Sequence, residues 1–202
     1  MTAAVFLDRD GVLNVKAPEG RYITGWGEFE LLAGVDAALR ELRRRDRGAR
    51  LIVVTNQRGV ARKLIDPASL EDLHQRMRAE LSSAGVELDG IYVCPHEADS
   101  CDCRKPEPGL LRQALSDFPE IEPQRSLLIG DSLADLEAAK RFGCAAYLVG
   151  PPDRRRVVIA GAASRGVPVA GEAASLSALL RDYPILETAP VTGRLAPAAG
   201  TA

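Results

Sequence analysis

Short apolar runs recur along the chain at Ala3 to Leu7, Leu51 to Val54, Ile91 to Val93, Leu127 to Ile129 and Ala145 to Val149, and each predicts a strand. Amphipathic stretches at Val35 to Arg45, Pro67 to Ser83, Gly109 to Phe118 and Leu133 to Phe142 lie between or beside them and predict helices. Strand and helix thus alternate, which implies an α/β, Rossmann-like parallel sheet flanked by helices on both faces. After Val149 the pattern weakens to Arg154-Arg155-Arg156, a last strand at Val167 to Val169 and a closing helix at Leu176 to Arg181. One domain over residues 1–182 is expected. Residues 183–202, rich in Ala, Pro, Gly and Thr without an apolar period, read as a disordered tail. In open parallel sheets, ligands bind beyond the carboxyl ends of the strands, so chemistry-bearing residues should follow the apolar runs directly.

Composition adds limits. The 202 residues are 46% hydrophobic and 27% charged, with 26 basic against 28 acidic side chains and a net charge of −2. No broad positive field is expected, which argues against nucleic acid or anionic membrane as partners. The first apolar stretch ends at Asp8, too short for a signal peptide or a membrane span, so a cytoplasmic protein is expected. No exposed apolar helix suggests an interface, and a monomer is expected. Four cysteines in a reducing compartment are not expected to pair, yet three of them fall between positions 94 and 103.

Polar residues do gather after the runs. Asp8-Arg9-Asp10-Gly11 follows the first and Thr55-Asn56-Gln57 the second, Cys94 the third, and Gly130-Asp131-Ser132-Leu133-Ala134-Asp135 the fourth. Asp8 can serve as a carboxylate nucleophile toward phosphorus, with Asp10 as the acid that protonates the leaving oxygen and the base that activates water. A carboxylate approaching a phosphate dianion needs a bridging cation, and magnesium, which takes few hard oxygen ligands, suits Asp8 with Asp131. The Thr55 hydroxyl and the Asn56 backbone amide offer donors to phosphate oxygens, and Lys105 offers a fixed positive charge to the transferring group. Each element alone has an ordinary alternative: an acidic turn, a helix N-cap at Asp131 or Ser132, a polar strand terminus, a solvated Arg-Lys pair. Their joint occurrence at successive strand ends favours the chemistry.

Cys94-Pro95-His96 and Cys101-Asp102-Cys103 bring three sulfur donors and one imidazole within ten residues. That set matches a closed tetrahedral zinc site, structural because no coordination position stays open. It would order the loop leading into Arg104-Lys105. The alternative is buried thiols with a satisfied histidine, although this loop has almost no apolar residues to bury them. Cys144, between Gly143 and an apolar run, reads as core.

Together, Asp8-x-Asp10, Thr55, Lys105 and Gly130-Asp131-x-x-x-Asp135 resemble the four motifs of the haloacid dehalogenase superfamily of phosphatases. The resemblance implies that Asp8 becomes phosphorylated, that Asp10 is the general acid/base and also binds magnesium through its carbonyl, and that Thr55 and Lys105 steady the phosphoryl group. It implies Asp131 as a further magnesium ligand, with Asp135 supporting it. The zinc loop running into Arg104-Lys105-Pro106 is similar to that of a narrow group within the superfamily, the heptose 1,7-bisphosphate 7-phosphatases and the bacterial histidinol-phosphate phosphatases. Phe29 to Val35, Val54 to Arg62 and Asp89 to His96 lean toward the heptose enzymes. So do the basic Arg58, Arg62 and Arg104, which suit a second phosphate; the short His96-to-Cys101 spacing leans toward the histidinol enzymes. By the same resemblance Arg104 and the turn Glu19-Gly20-Arg21-Tyr22 would contact a small phosphorylated substrate, a sugar bisphosphate, together with Arg9, Asn56, Gln57 and Arg58. No large insertion is present, so a capless, open site is expected.

Overall fold

The structure, a computed structural model, describes residues 2–186. Six strands form one wholly parallel sheet: β1 (Ala4–Leu7), β2 (Arg50–Asn56), β3 (Gly90–Cys94), β4 (Leu127–Gly130), β5 (Ala145–Val149) and β6 (Gly171–Ala173), in the order β3-β2-β1-β4-β5-β6. β1 lies at the centre, with Val5 beside Leu51 on one neighbour and Leu127 on the other. The connecting helices are α1 (Val35–Arg45), α2 (Pro67–Ser83), α3 (Gly109–Asp117), α4 (Leu133–Phe142), α5 (Pro152–Ser164) and α6 (Leu176–Asp182).

Side chains alternate along a strand, so the apolar run of β1 feeds two cores. Val5 and Leu7 join the layer under α1, α2 and α6 with Leu39, Leu73, Met77 and Leu179. Ala4 and Phe6 join the layer under α3, α4 and α5 with Leu110, Leu136 and Ala162. A strand covered on both faces has no use for a polar residue until it ends, and the first polar residue of each central strand therefore marks its carboxyl tip. No separate cap domain stands over this edge among the described residues.

Three boundaries differ from the sequence expectation. Pro152–Ser164 is a full helix, hidden in the sequence because Val157, Val158 and Ile159 are consecutive and trace no apolar face; Val157 is 72% exposed. Val167 is not in a strand: its amide bonds the Ala162 carbonyl at 2.9 Å, closing α5, and its side chain joins the core beneath that helix. The sixth strand is instead Gly171–Ala173, pairing with Tyr147 to Val149. The first residues of the expected tail belong to the fold, since Ile185 is buried and Tyr183 packs edge-on against Tyr147 at 5.8 Å. The rest of that expected tail, 187–202, lies outside the described residues.

Candidate active site

Four consecutive elements deliver polar side chains to one edge of the sheet. The amide of Asp8 continues the β1 to β4 pairing through the Ile129 carbonyl at 2.9 Å, and then the chain turns, with the amides of Val12, Leu13 and Asn14 all on the Arg9 carbonyl. Gly11 makes this turn at φ +90°, where a side chain would be strained, and a Cβ there would stand 2.5 Å from Asp131 Oδ2. Gly130 has the same kind of role on β4, because a Cβ would collide with the Asp135 side chain at 2.2 Å. The two glycines let three carboxylates converge: one oxygen each from Asp8, Asp131 and Asp135 lie within 4.8 Å of one another, all on buried residues.

Such a cluster needs counter-charge. Lys105, itself buried, reaches Asp8 at 2.9 Å and Asp135 at 2.6 Å, and donates to the Val54 carbonyl at 2.8 Å. Its backbone is clamped by the Asn56 side chain, whose amide donates to the Lys105 carbonyl at 3.0 Å while its oxygen accepts from the Lys105 amide at 3.1 Å. On the open side, Lys16 Nζ sits 2.8 and 2.6 Å from the two oxygens of Asp131, and Arg154 reaches the same carboxylate at 3.2 Å. Burial nevertheless dominates at Asp8, whose pKa is pushed up to about 7; Lys105 opposes the shift, and the charges of Asp135, Asp131 and Asp10 add to it. Asp131 is likewise raised, by burial first, against the pull of Lys16. Hard oxygen donors crowded around a point where two ammonium groups already stand in for a cation are a donor set that fits magnesium.

Asp10 is held differently. Its carboxylate is not in the cluster but is gripped by Arg9 Nη2 at 2.9 Å to both oxygens, and it accepts from Asn14 at 3.0 Å and Gln57 at 2.9 Å. Burial raises its pKa, but Arg9 and these hydrogen bonds outweigh burial and leave the carboxyl below its ordinary value.

These groups line a cleft of about 530 Å³ that also takes in Asn56, Gln57, Arg104 and the segment from Lys16 to Ile23. Glu19, Gly20, Arg21 and Tyr22 lie on its wall as expected from the sequence. Three expected substrate contacts are not there. Arg9 is fully buried and does not line the cleft, its guanidinium taken up by Asp10 and His74. Arg58 is drawn away by Glu97 at 2.9 Å, and Arg62 pairs with the same carboxylate at 3.2 Å, so both brace the zinc-type loop rather than the cleft. Asn56 lines the cleft, with its side-chain amide engaged by the Lys105 backbone. Thr55 is 1% exposed and does not line it, its hydroxyl accepting from Gln57 at 2.9 Å. Sequence reasoning missed Lys16, Arg154 and His74: Lys16 stands alone between motifs, Arg154 belongs to a basic run of the kind that is usually solvated, and His74 lies mid-helix.

Cys94, His96, Cys101 and Cys103 gather at the end of β3, with ligand atoms within 4.8 Å of one another. Their contacts are 3.6 Å for Cys94 to Cys101, 3.2 Å for Cys101 to Cys103 and 3.2 Å for His96 Nδ1 to Cys103. A tetrahedron with zinc–sulfur bonds of about 2.3 Å has edges of roughly 3.8 Å, so with modest expansion the set could hold zinc. The Cys94 carbonyl accepts from the Gln57 amide at 2.7 Å, tying the cage to the β2 tip.

The HAD-hydrolase-like family matches residues 102–170. The D-glycero-alpha-D-manno-heptose-1,7-bisphosphate 7-phosphatase of Mycobacterium tuberculosis is 42% identical over 164 residues, 81% of this chain and 82% of the relative. The beta-anomer enzyme of Haemophilus influenzae is 35% identical over 90% of this chain and 92% of its own. A crystal structure of D,D-heptose 1,7-bisphosphate phosphatase from B. bronchiseptica, complexed with magnesium and phosphate, superposes with a TM-score of 0.78 at 33% identity, covering 89% of this chain and 97% of that one. The chain therefore belongs to the heptose-bisphosphate phosphatase family of the haloacid dehalogenase-like hydrolases.

Proposed function

We propose that the chain removes the 7-phosphate of D-glycero-D-manno-heptose 1,7-bisphosphate through a phosphoaspartate on Asp8. The observation that carries this is the convergence of Asp8, Lys105, Asp131 and Asp135 at one open sheet edge, beside an independently held Asp10. Magnesium, held by Asp8 and Asp131 and by the Asp10 carbonyl that the family resemblance adds, would neutralise the repulsion between carboxylate and phosphate. Asp8 attacks phosphorus, the bond to the sugar oxygen breaks, and that oxygen takes the proton of Asp10. Asp10 then accepts a proton from the water that attacks the phosphoaspartate, which restores Asp8 and frees phosphate. A phosphate dianion arriving beside Asp10 raises its proton affinity, which loads the acid when it is needed.

Lys105 spans Asp8 and Asp135, so it stays beside the Asp8 carboxylate as that group is esterified and balances the transferring group. Lys16, Arg21, Arg104 and Arg154 give the mouth of the cleft a cationic wall suited to a second phosphate. Histidinol phosphate, a cation at its far end, is disfavoured by the same wall. The near balance of 26 basic and 28 acidic side chains argues against nucleic acid as a partner, and no described helix is long and apolar enough to cross a membrane. Phosphate release should be measured side by side on heptose bisphosphate and histidinol phosphate. A kcat/KM at least about a hundredfold higher on the bisphosphate is expected. Equal rates, or the opposite preference, would reject the assignment.

A further inference from the structure

His74 is buried on α2, and the phosphoryl chemistry described above makes no use of it. Its Nε2 lies 3.1 Å from Arg9 Nη1. A guanidinium carries donors only, so the imidazole nitrogen facing it must accept, and His74 is neutral with Nε2 unprotonated. Its environment agrees: burial first and the Arg9 charge second push its pKa down to about 4. Arg9 is 0% exposed and sits between this acceptor and Asp10, reaching both carboxylate oxygens through Nη2 at 2.9 Å and Oδ1 through Nε at 3.3 Å. Asp10 and Gln57 line the cleft while Arg9 does not, so the guanidinium holds the carboxylate from behind.

The guanidinium is a rigid planar fork. Fixing Nη1 therefore fixes the directions of Nη2 and Nε, and with them the plane of the Asp10 carboxylate. A buried Nη1 without an acceptor would instead turn the fork toward whatever oxygen it could find, because an unsatisfied buried donor is costly. We propose that His74 is a positioning residue: as a neutral acceptor on α2 it locks the Arg9 fork, and through Arg9 it aims Asp10 at the leaving oxygen of the substrate. The step it serves is the first half-reaction, in which the phosphorus bond to the sugar oxygen breaks, its electron pair goes to that oxygen, the Asp10 proton follows, and the phosphoryl group passes to Asp8. The inference rests on Asp10 being that acid.

Leaving-group dependence separates aim from general damage. Departure of a sugar alkoxide needs a proton, whereas departure of p-nitrophenolate does not. His74→Leu removes the acceptor and should lower kcat/KM on heptose bisphosphate about tenfold or more, with less than about a twofold loss on p-nitrophenyl phosphate. His74→Gln offers an amide oxygen to Arg9 and should restore most of the rate on the sugar substrate. Asp10→Asn sets the scale: its kcat/KM, which reads only the steps through phosphoryl transfer, should show the same selectivity more strongly, while its kcat falls on both substrates because Asp10 also serves the water step. Selective Asp10→Asn with an unselective or silent His74→Leu overturns the role of His74 alone. An Asp10→Asn that lowers kcat/KM equally on both substrates removes Asp10 as the acid, and the role of His74 falls with it. Should His74→Leu not fold, Arg9→Lys decides: it keeps the charge but cannot span His74 and both Asp10 oxygens, so selective loss supports the relay and equal loss overturns it.

Discussion

Replacing the proposed nucleophile should make the magnesium-free protein more stable while ending turnover. Asp8 titrates at 3.8 as a free side chain and at about 7 in the fold, with burial as the chief cause. The folded state thus holds this proton more tightly than the unfolded chain, and ionised Asp8 counts against folding. The penalty is absent below the unfolded pKa, grows as pH rises between the two values and is complete above the folded one. A shift of about three units, at about 1.4 kcal/mol per unit, sets its upper size near 4 kcal/mol. Asn has the same outline without the charge. In magnesium-free buffer with zinc retained, Asp8→Asn should therefore melt roughly 5–10 °C above the natural protein at pH 8, and gain less than about half as much at pH 5. Scanning calorimetry at the two pH values measures both. Adding magnesium should then raise the natural protein and leave the variant nearly unmoved, because the cation supplies what the substitution made unnecessary. A variant that melts at or below the natural protein at pH 8, or gains equally at both pH values, would refute the idea that burying the Asp8 charge, with its neighbouring carboxylates, carries a penalty that a cation relieves.

Lys105→Met leaves Asp8 and Asp135 without their buried counter-charge, and should cost about 3–5 kcal/mol in urea unfolding; a loss below about 1 kcal/mol would mean the ammonium is not what balances them. Stripping zinc from the Cys94, His96, Cys101 and Cys103 cage should lower both the melting temperature and the rate under saturating magnesium, because the cage leads directly into Lys105. An unchanged enzyme would show that no metal is held there. Arg104→Ala should raise KM for heptose bisphosphate about tenfold while changing it little for the monophosphate lacking the second anion, read by steady-state phosphate release.

Much of this was legible in the chain. A central strand covered on both faces must be apolar throughout, so the point where Leu7 gives way to Asp8, or Ile129-Gly130 to Asp131, is written in the residues themselves. Parallel strands all point the same way, and their tips must share an edge. The zinc-type cluster was legible from its spacing: Cys94-Pro95-His96 and Cys101-Asp102-Cys103 each keep two ligands near one another, and the four residues between them are enough for the turn that joins the pairs. Regions without periodicity were not legible, and Val157 to Ile159 and Gly171 to Ala173 show no pattern that distinguishes a helix from a strand.

By itself, then, the sequence determined where polar chemistry leaves the sheet and which residues stand at each exit. Only the tertiary structure decided which charges face one another. Arg58 goes to Glu97, Lys16 and Arg154 to Asp131, and Arg9 to His74. Long cationic side chains take whichever partner distant elements bring within reach, and no local pattern records that choice. A strand tip is a matter of solvation along the chain, whereas an ion pair depends on distance across the fold.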